Sequence, residues 1–215
     1  MDRSQIGIII PAFNESQNIK SVIESIMPLG IPIVVDDGST DDTSAVAKNL
    51  GAIVFQHPKN LGYDKALKSG FDTVDDLGLE YAITMDADGQ HAAIDILKVI
   101  DHLAEADIVI GVRKKKARIS ESIFAFFTYR SFGILDPLCG MKGYKMVSSR
   151  KYNKILDYKS IGTQPLLEGL NAGLTIDQVK LAHSKDRIGK SKLGGSIRSN
   201  ASIFLSLIRA WKRYF

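Results

Sequence analysis

The sequence predicts an α/β domain, a mostly parallel sheet with helices on both faces, followed by a C-terminal amphipathic helix. Two observations predict it. Through the first half, short apolar runs alternate with amphipathic segments, the rhythm of strand–helix–strand units. The carboxylates of that half cluster where the apolar runs end, and open α/β sheets collect their ligands at the carboxyl ends of strands.

Five runs read as buried strands: 6–10, 31–35, 52–55, 81–85 and 107–110. Each is short, rich in Ile and Val, and lacks the polar alternation of a half-exposed sheet. Between them, 15–27, 42–50, 62–76 and 92–105 carry apolar residues at helical spacing. Asp41 or Asp42 is placed to cap the second helix, because a carboxylate accepts the unpaired N–H groups of a first turn. The rhythm breaks near residue 112. The basic run Arg113–Arg118 leads into an aromatic helix over 119–135, and a second amphipathic helix occupies 196–215. Residues 1–195 are therefore expected to form one domain, with 196–215 as an appended helix. In both late helices aromatic residues alternate with cations, a pattern suited to the interface of an anionic membrane.

Composition narrows the function classes. With 45% hydrophobic and 24% charged residues the chain is ordinary globular material. No apolar stretch reaches the roughly 18 residues that span a bilayer. The first residues run directly into a strand with no signal-peptide pattern. A single cysteine, Cys139, excludes an internal disulfide framework and a multi-cysteine zinc site. The expected location is cytoplasmic, peripheral on the cytoplasmic face of the membrane. The net charge of +4 hides a division: residues 1–110 carry 18 acids against 7 Lys and Arg, whereas 111–215 carry 21 Lys and Arg against 6 acids. An acidic half suits metal and sugar hydroxyls, and a basic half suits phosphates. The acidic crevice would repel a polyanion, so no nucleic acid partner is expected.

The chemistry-bearing residues sit at the strand ends. Pro11-Ala-Phe-Asn-Glu15 follows the first strand, Asp36-Asp37-Gly-Ser follows the second, and Asp86-Ala-Asp88-Gly-Gln90 follows the fourth. Two hard oxygen donors one residue apart suit a divalent cation that also carries phosphates. There is no G-x-G-x-x-G and no P-loop, which disfavours the dinucleotide and Walker modes.

Taken with Asn60-Leu-Gly62, Ala66-Leu67 and Gly70, these motifs resemble family 2 glycosyltransferases of the GT-A fold. The segment Asp136-Pro-Leu-Cys-Gly-Met-Lys-Gly-Tyr144 is similar to the D-x-x-S-G-F-R-x-Y stretch of the polyprenyl-phosphate branch. That branch includes dolichyl-phosphate mannosyltransferase and undecaprenyl-phosphate glycosyltransferases. His183 to Lys192 is similar to its R-x-x-G-x-S-K, with Asp186 in the place of the arginine and Arg187 one position later. The resemblance implies inverting, metal-dependent transfer of a sugar from a nucleotide-diphosphate sugar to a polyprenyl phosphate. It assigns Pro11, Glu15 and Asp37 to the nucleotide base and ribose. Asp86, Asp88 and Gln90 would hold Mg2+ or Mn2+ on the donor diphosphate. Lys192, with Arg187 beside it in the rearranged clamp, would meet the pyrophosphate, and Arg118 with Ser122 the acceptor phosphate. Asp36 reads instead as a turn-orienting residue outside the site. A second reading is a family 2 enzyme that extends a lipopolysaccharide, capsule or other glycan, with Glu168 or Asp136 as general base. A third is a non-catalytic nucleotide-binding protein.

Overall fold

Ile6–Ala12 forms β1 at the heart of a seven-stranded sheet. The computed structural model describes residues 1–89, 93–114, 118–148, 160, 162–182 and 197–214. The further strands are β2 (Ile31–Asp36), β3 (Ile53–Gln56), β4 (Tyr81–Thr84), β5 (Ile108–Val112), β6 (Lys142–Lys145) and β7 (Ile176–Lys180). Helices α1 (Ile19–Ile26), α2 (Thr43–Asn49), α3 (Tyr63–Asp76) and α4 (Ala93–His102) connect the early strands, within a few residues of the spacing-based expectation. They are followed by α5 (Ile119–Phe132), α6 (Gln164–Asn171) and α7 (Ile197–Tyr214).

The sheet order is β3-β2-β1-β4-β6-β5-β7. β1 pairs in parallel with β2 and β4, and β5 with β7, whereas β6 runs antiparallel between β4 and β5. Burial on both faces explains the continuous isoleucine run of β1. Ile6, Ile8 and Ile10 pack with α1, α2 and α4 on one face. Ile9 faces Ala66, Leu67, Phe71 and Val74 of α3 on the other. A third cluster joins Phe124 of α5, Leu167 of α6 and Ile203, Leu207 and Ala210 of α7.

β6, β7 and α6 lie outside the segments expected from the sequence pattern. β6 reads Lys-Gly-Tyr-Lys and β7 reads Ile-Asp-Gln-Val-Lys, so neither shows an apolar run. Pairing with distant neighbours makes them strands, and Tyr144 is fixed by an edge-on contact with Phe71 at 5.2 Å between ring centres. No helix of the described residues is long and apolar enough to cross a membrane.

Candidate active site

The chain reverses its lateral direction at β1. From there it winds outward through β2 to β3 on one side, and β4 takes up the other side. Such a switch point leaves a crevice at the carboxyl ends of the strands. The loops following β1, β2 and β4 carry the three acidic motifs.

The first two loops are tied together by their own polar groups. Asn14, at φ 52, is the one non-glycine residue with positive φ among those described. That conformation is tolerated best by Asn and Gly. Asn14 N–H donates to Ser39 Oγ at 2.8 Å, and Asn14 Oδ1 accepts from Thr40 N–H at 2.8 Å. Glu15 N–H donates to Thr43 Oγ1 at 2.8 Å, and Ser16 N–H donates to Asp41 at 3.1 Å. The carboxylate of Glu15 is buried and accepts from Asn18 Nδ2 at 2.8 Å.

Of the two capping candidates, Asp42 occupies the N-cap position of α2 without a side-chain hydrogen bond to the helix. Asp41 does the work instead, accepting from Thr43 N–H and Thr43 Oγ1 as well as Ser16. Partial burial opposes ionisation of Asp41, yet these bonds outweigh it and hold its pKa at about 2. Asp36 is fully buried and accepts from Ser39 N–H at 2.9 Å and Ser44 Oγ at 2.6 Å, in keeping with a turn-orienting role.

Asp37 is buried and pins the 59–62 loop. Its Oδ1 accepts from Leu61 N–H at 2.8 Å and lies 2.6 Å from His57 Nδ1; its Oδ2 accepts from Gly62 N–H at 2.8 Å. Because Oδ1 is the acceptor, Nδ1 of His57 carries the hydrogen. In the neutral ring Nε2 then accepts from Ser69 Oγ at 2.9 Å. The loop approaches so closely that a Cβ on Gly38, at φ +75, would lie 2.4 Å from the Lys59 carbonyl carbon. The roles of His57 and Ser69 are not legible in the sequence, because His57 reaches Asp37 across 20 residues, Ser69 reaches His57 across 12, and neither link follows a motif.

Asp86 and Asp88 follow β4, and Asp88 is 7% exposed. Tyr63 Oη donates to Asp86 Oδ1 at 3.4 Å. Burial raises the tyrosine pKa well above its ordinary value, and the Asp86 charge adds to that. Gly140 lies directly against the Asp86 carboxylate: a Cβ there would sit 2.4 Å from Oδ2. Gly140 is held in turn by Thr84 Oγ1, which donates to its carbonyl at 2.7 Å. Lys142, one residue beyond Met141, is buried and donates to the Cys139 carbonyl. Burial lowers the Lys142 pKa, while the Cys139, Asp136 and Asp86 side chains oppose that shift. The Cys139 thiol is pushed up to about 12 by burial, which leaves it unreactive.

The basic half supplies a four-charge cluster. Arg113 forks onto Asp136 with two bonds of 2.8 Å and reaches Glu121 Oε2 at 3.0 Å. Arg118, the N-cap residue of α5, donates to Glu121 Oε1 at 3.0 Å. Asp136 and Glu121 are 1% and 4% exposed. Burial works against the Arg113 charge, but the Asp136 fork outweighs it and raises the pKa further. Ser122, in the first turn of α5, is exposed. Glu168 accepts from Tyr214 Oη at 2.6 Å and pairs with Arg213 at 2.9 Å. Gln90, Asp186, Arg187 and Lys192 lie outside the described residues.

An acid-lined crevice at the switch point and one antiparallel strand inside a parallel sheet define an α/β domain of GT-A type. The family model described as Glycosyl transferase family 2 matches residues 7–126, more than half of the chain, and the chain belongs to that family. Polyprenol monophosphomannose synthase of Mycolicibacterium smegmatis is 27% identical over 214 residues, covering 88% of this chain and 81% of that protein. UDP-N-acetylglucosamine–dolichyl-phosphate N-acetylglucosaminyltransferase of Methanococcus voltae is 34% identical over 134 residues, about half of each chain at 53%. Glucosyl-3-phosphoglycerate synthase of Mycobacterium tuberculosis, crystallised with Mn2+, uridine diphosphate and glucosyl-3-phosphoglycerate, superposes with a TM-score of 0.75. It is 21% identical over 97% of this chain and 80% of that one, a likeness of fold.

Proposed function

We propose that this chain transfers a sugar from a nucleotide-diphosphate sugar to a polyprenyl phosphate at a membrane surface. The observation that carries the choice of acceptor is the state of the two candidate bases. A hydroxyl acceptor needs a general base to take its proton. Asp136 is buried under the Arg113 fork, and Glu168 is engaged by Tyr214 and Arg213. A phosphate acceptor arrives already ionised and needs neither group. Arg118 at the start of α5, with exposed Ser122 one turn on, offers the donors such an oxyanion takes. The similarity to the Mycolicibacterium polyprenol monophosphomannose synthase and the Methanococcus dolichyl-phosphate N-acetylglucosaminyltransferase supports the same acceptor class.

The donor side follows from the acidic loops. Among the described residues, Asp37 Oδ1 has two partners and Oδ2 has one, the Gly62 N–H. That leaves a lone pair for an N–H or O–H of the base or ribose, with Pro11 near the end of β1 and Glu15 on the loop that follows it. Asp86 and Asp88 fit a divalent cation of the magnesium or manganese kind. Two carboxylates would leave most of such a cation's ligand positions to the diphosphate, to water and to a neighbouring side chain. When bound, such a cation supplies Lewis-acid neutralisation of the departing diphosphate. Gln90 is proposed as a further ligand, and Arg187 and Lys192 as cations facing the pyrophosphate. Gly140 and Tyr63 fix the Asp86 carboxylate. Arg118 holds the acceptor oxyanion for attack on the anomeric carbon, opposite the breaking bond to the nucleotide diphosphate, which gives inversion.

Membrane contact is assigned to α5 and α7. Their inward faces share the third core cluster, and their outward faces leave Phe126 64%, Phe204 49% and Trp211 49% exposed beside Arg130, Arg209 and Lys212. That combination suits the headgroup region of an anionic leaflet on the cytoplasmic side.

The test is a panel of radiolabelled nucleotide sugars incubated with undecaprenyl or dolichyl phosphate and either cation. Label in a charged lipid, abolished by EDTA and by Asp88→Asn, is the expected result. Transfer that survives both changes refutes the metal assignment.

A further inference from the structure

The acidic residue Glu121 was assigned no role by its sequence context, yet it lies at the centre of the buried charge cluster. Its two oxygens are divided between two arginines: Oε1 takes Arg118 and Oε2 takes Arg113, each at 3.0 Å. Arg113 continues the chain of contacts to Asp136, which accepts from its guanidinium at two points and from its backbone N–H at 3.1 Å. Asp136 opens the segment that ends in Gly140, and Gly140 lies against the Asp86 carboxylate. The guanidinium at the start of α5 and the carboxylate after β4 thus belong to one continuous arrangement.

We infer that Glu121 is a positioning residue, which holds Arg118 in the orientation that receives the acceptor phosphate and joins that orientation, through Arg113 and Asp136, to the metal-side segment. The inference rests on the polyprenyl-phosphate reading and deepens it. The physical reason is the geometry of a fork. A guanidinium offers five N–H donors in one plane, and a carboxylate gripping one edge sets the direction of the others. Glu121 is buried, so its grip is not screened by water as a surface pair would be. Arg113 holds the far oxygen of the same carboxylate, which keeps it from turning with Arg118. Among the described residues Asp136 and Glu121 set two carboxylates against these two arginines.

The experiment compares wild type, Glu121→Gln, Arg118→Ala and the double variant, with farnesyl phosphate as a soluble acceptor probe. Steady-state constants for donor and acceptor are measured beside the thermal midpoint. Glu121→Gln is expected to raise the acceptor KM on the order of tenfold, the usual weight of a hydrogen bond to a charged group, with donor KM unchanged. In the Arg118→Ala background the same change should add almost nothing, because Glu121 acts through Arg118. A lowered midpoint with acceptor and donor KM both unchanged, or equal penalties in both backgrounds, would show Glu121 to be structural and overturn the inference. If Glu121→Gln does not fold, Glu121→Asp, which keeps the charge but shortens the reach, must show the same selective rise in acceptor KM. If wild type transfers no sugar to any prenyl phosphate while remaining active on a glycan, the acceptor reading falls and this inference falls with it.

Discussion

Gly140→Ala places one methyl group against the carboxylate on which the donor-side account depends. The added Cβ would lie 2.4 and 2.5 Å from the two Asp86 oxygens and 2.6 Å from the carboxyl carbon. Ordinary contact begins near 3.4 Å, so the carboxylate must retreat by about 1 Å, the difference between those distances. The glycine cannot yield easily in its place. Its carbonyl is held by Thr84 Oγ1, and two residues later the chain enters β6, where Lys142 pairs with Thr84 across the sheet. Moving Asp86 instead disturbs the contact with Tyr63 Oη. A misplacement of roughly 1 Å in a positioning group costs on the order of 100-fold in rate. Overpacking at one site costs roughly 1–3 kcal/mol, about 2–12 °C in a chain of this size. The expected outcome is a folded variant whose kcat/KM falls about 100-fold and whose response to added divalent cation moves to higher concentration. Turnover and thermal melting measured side by side provide the assay. A Gly140→Ala enzyme with wild-type kcat/KM and wild-type metal dependence would refute the reasoning, because Asp86 would then not need its present position.

Three further outcomes can be checked. Asp41 has a lowered pKa in the folded chain, so the stability it contributes is fully present above the unfolded value of about 4. That contribution is lost as the pH falls toward about 2, and Asp41→Asn should differ from wild type in unfolding midpoint at neutral pH and converge with it in acid. Phe126→Ser with Phe204→Ser should weaken sedimentation with anionic vesicles by tenfold or more while leaving the melt within about 1 kcal/mol, since Phe126 is 64% and Phe204 49% exposed; unchanged sedimentation would remove the membrane assignment from these helices. Gly38→Ala, whose Cβ would meet the Lys59 backbone at 2.4 Å, should raise the donor KM by displacing the loop that Asp37 pins, which isothermal titration with nucleotide diphosphate would detect.

The parts of the fold legible in the sequence are those in which local pattern and burial agree. β1 to β5 are short apolar runs because both faces of the sheet are covered, and α1 to α4 repeat their apolar residues at helical spacing. β6 and β7 were illegible for a physical reason. Their stability comes from pairing with strands far along the chain, and their residues include three lysines, an aspartate and a glutamine. The site divides in the same way. The acidic strand ends are legible because each motif is contiguous in the sequence and stands at or just after an apolar run. Arg113 was read with its neighbours as part of a basic run, although its guanidinium is committed to Asp136, 23 residues away. Tyr63 opens α3 and touches Asp86 only because α3 packs on β1 and β4. Asp41 and Asp42 are indistinguishable as letters. Only the backbone path decides that the first accepts the helix N–H and the second does not.

In the proposed reaction the acceptor enters already ionised, so no protein base is needed. The most direct test offers the purified enzyme one labelled nucleotide sugar and two acceptors of the same chain length, undecaprenyl phosphate and undecaprenol. The account predicts an acid-labile, charged glycolipid from the phosphate and none from the alcohol, with turnover retained in Glu168→Gln. Label transferred to the alcohol or to a glycan acceptor, with loss of that transfer in Glu168→Gln, would contradict it.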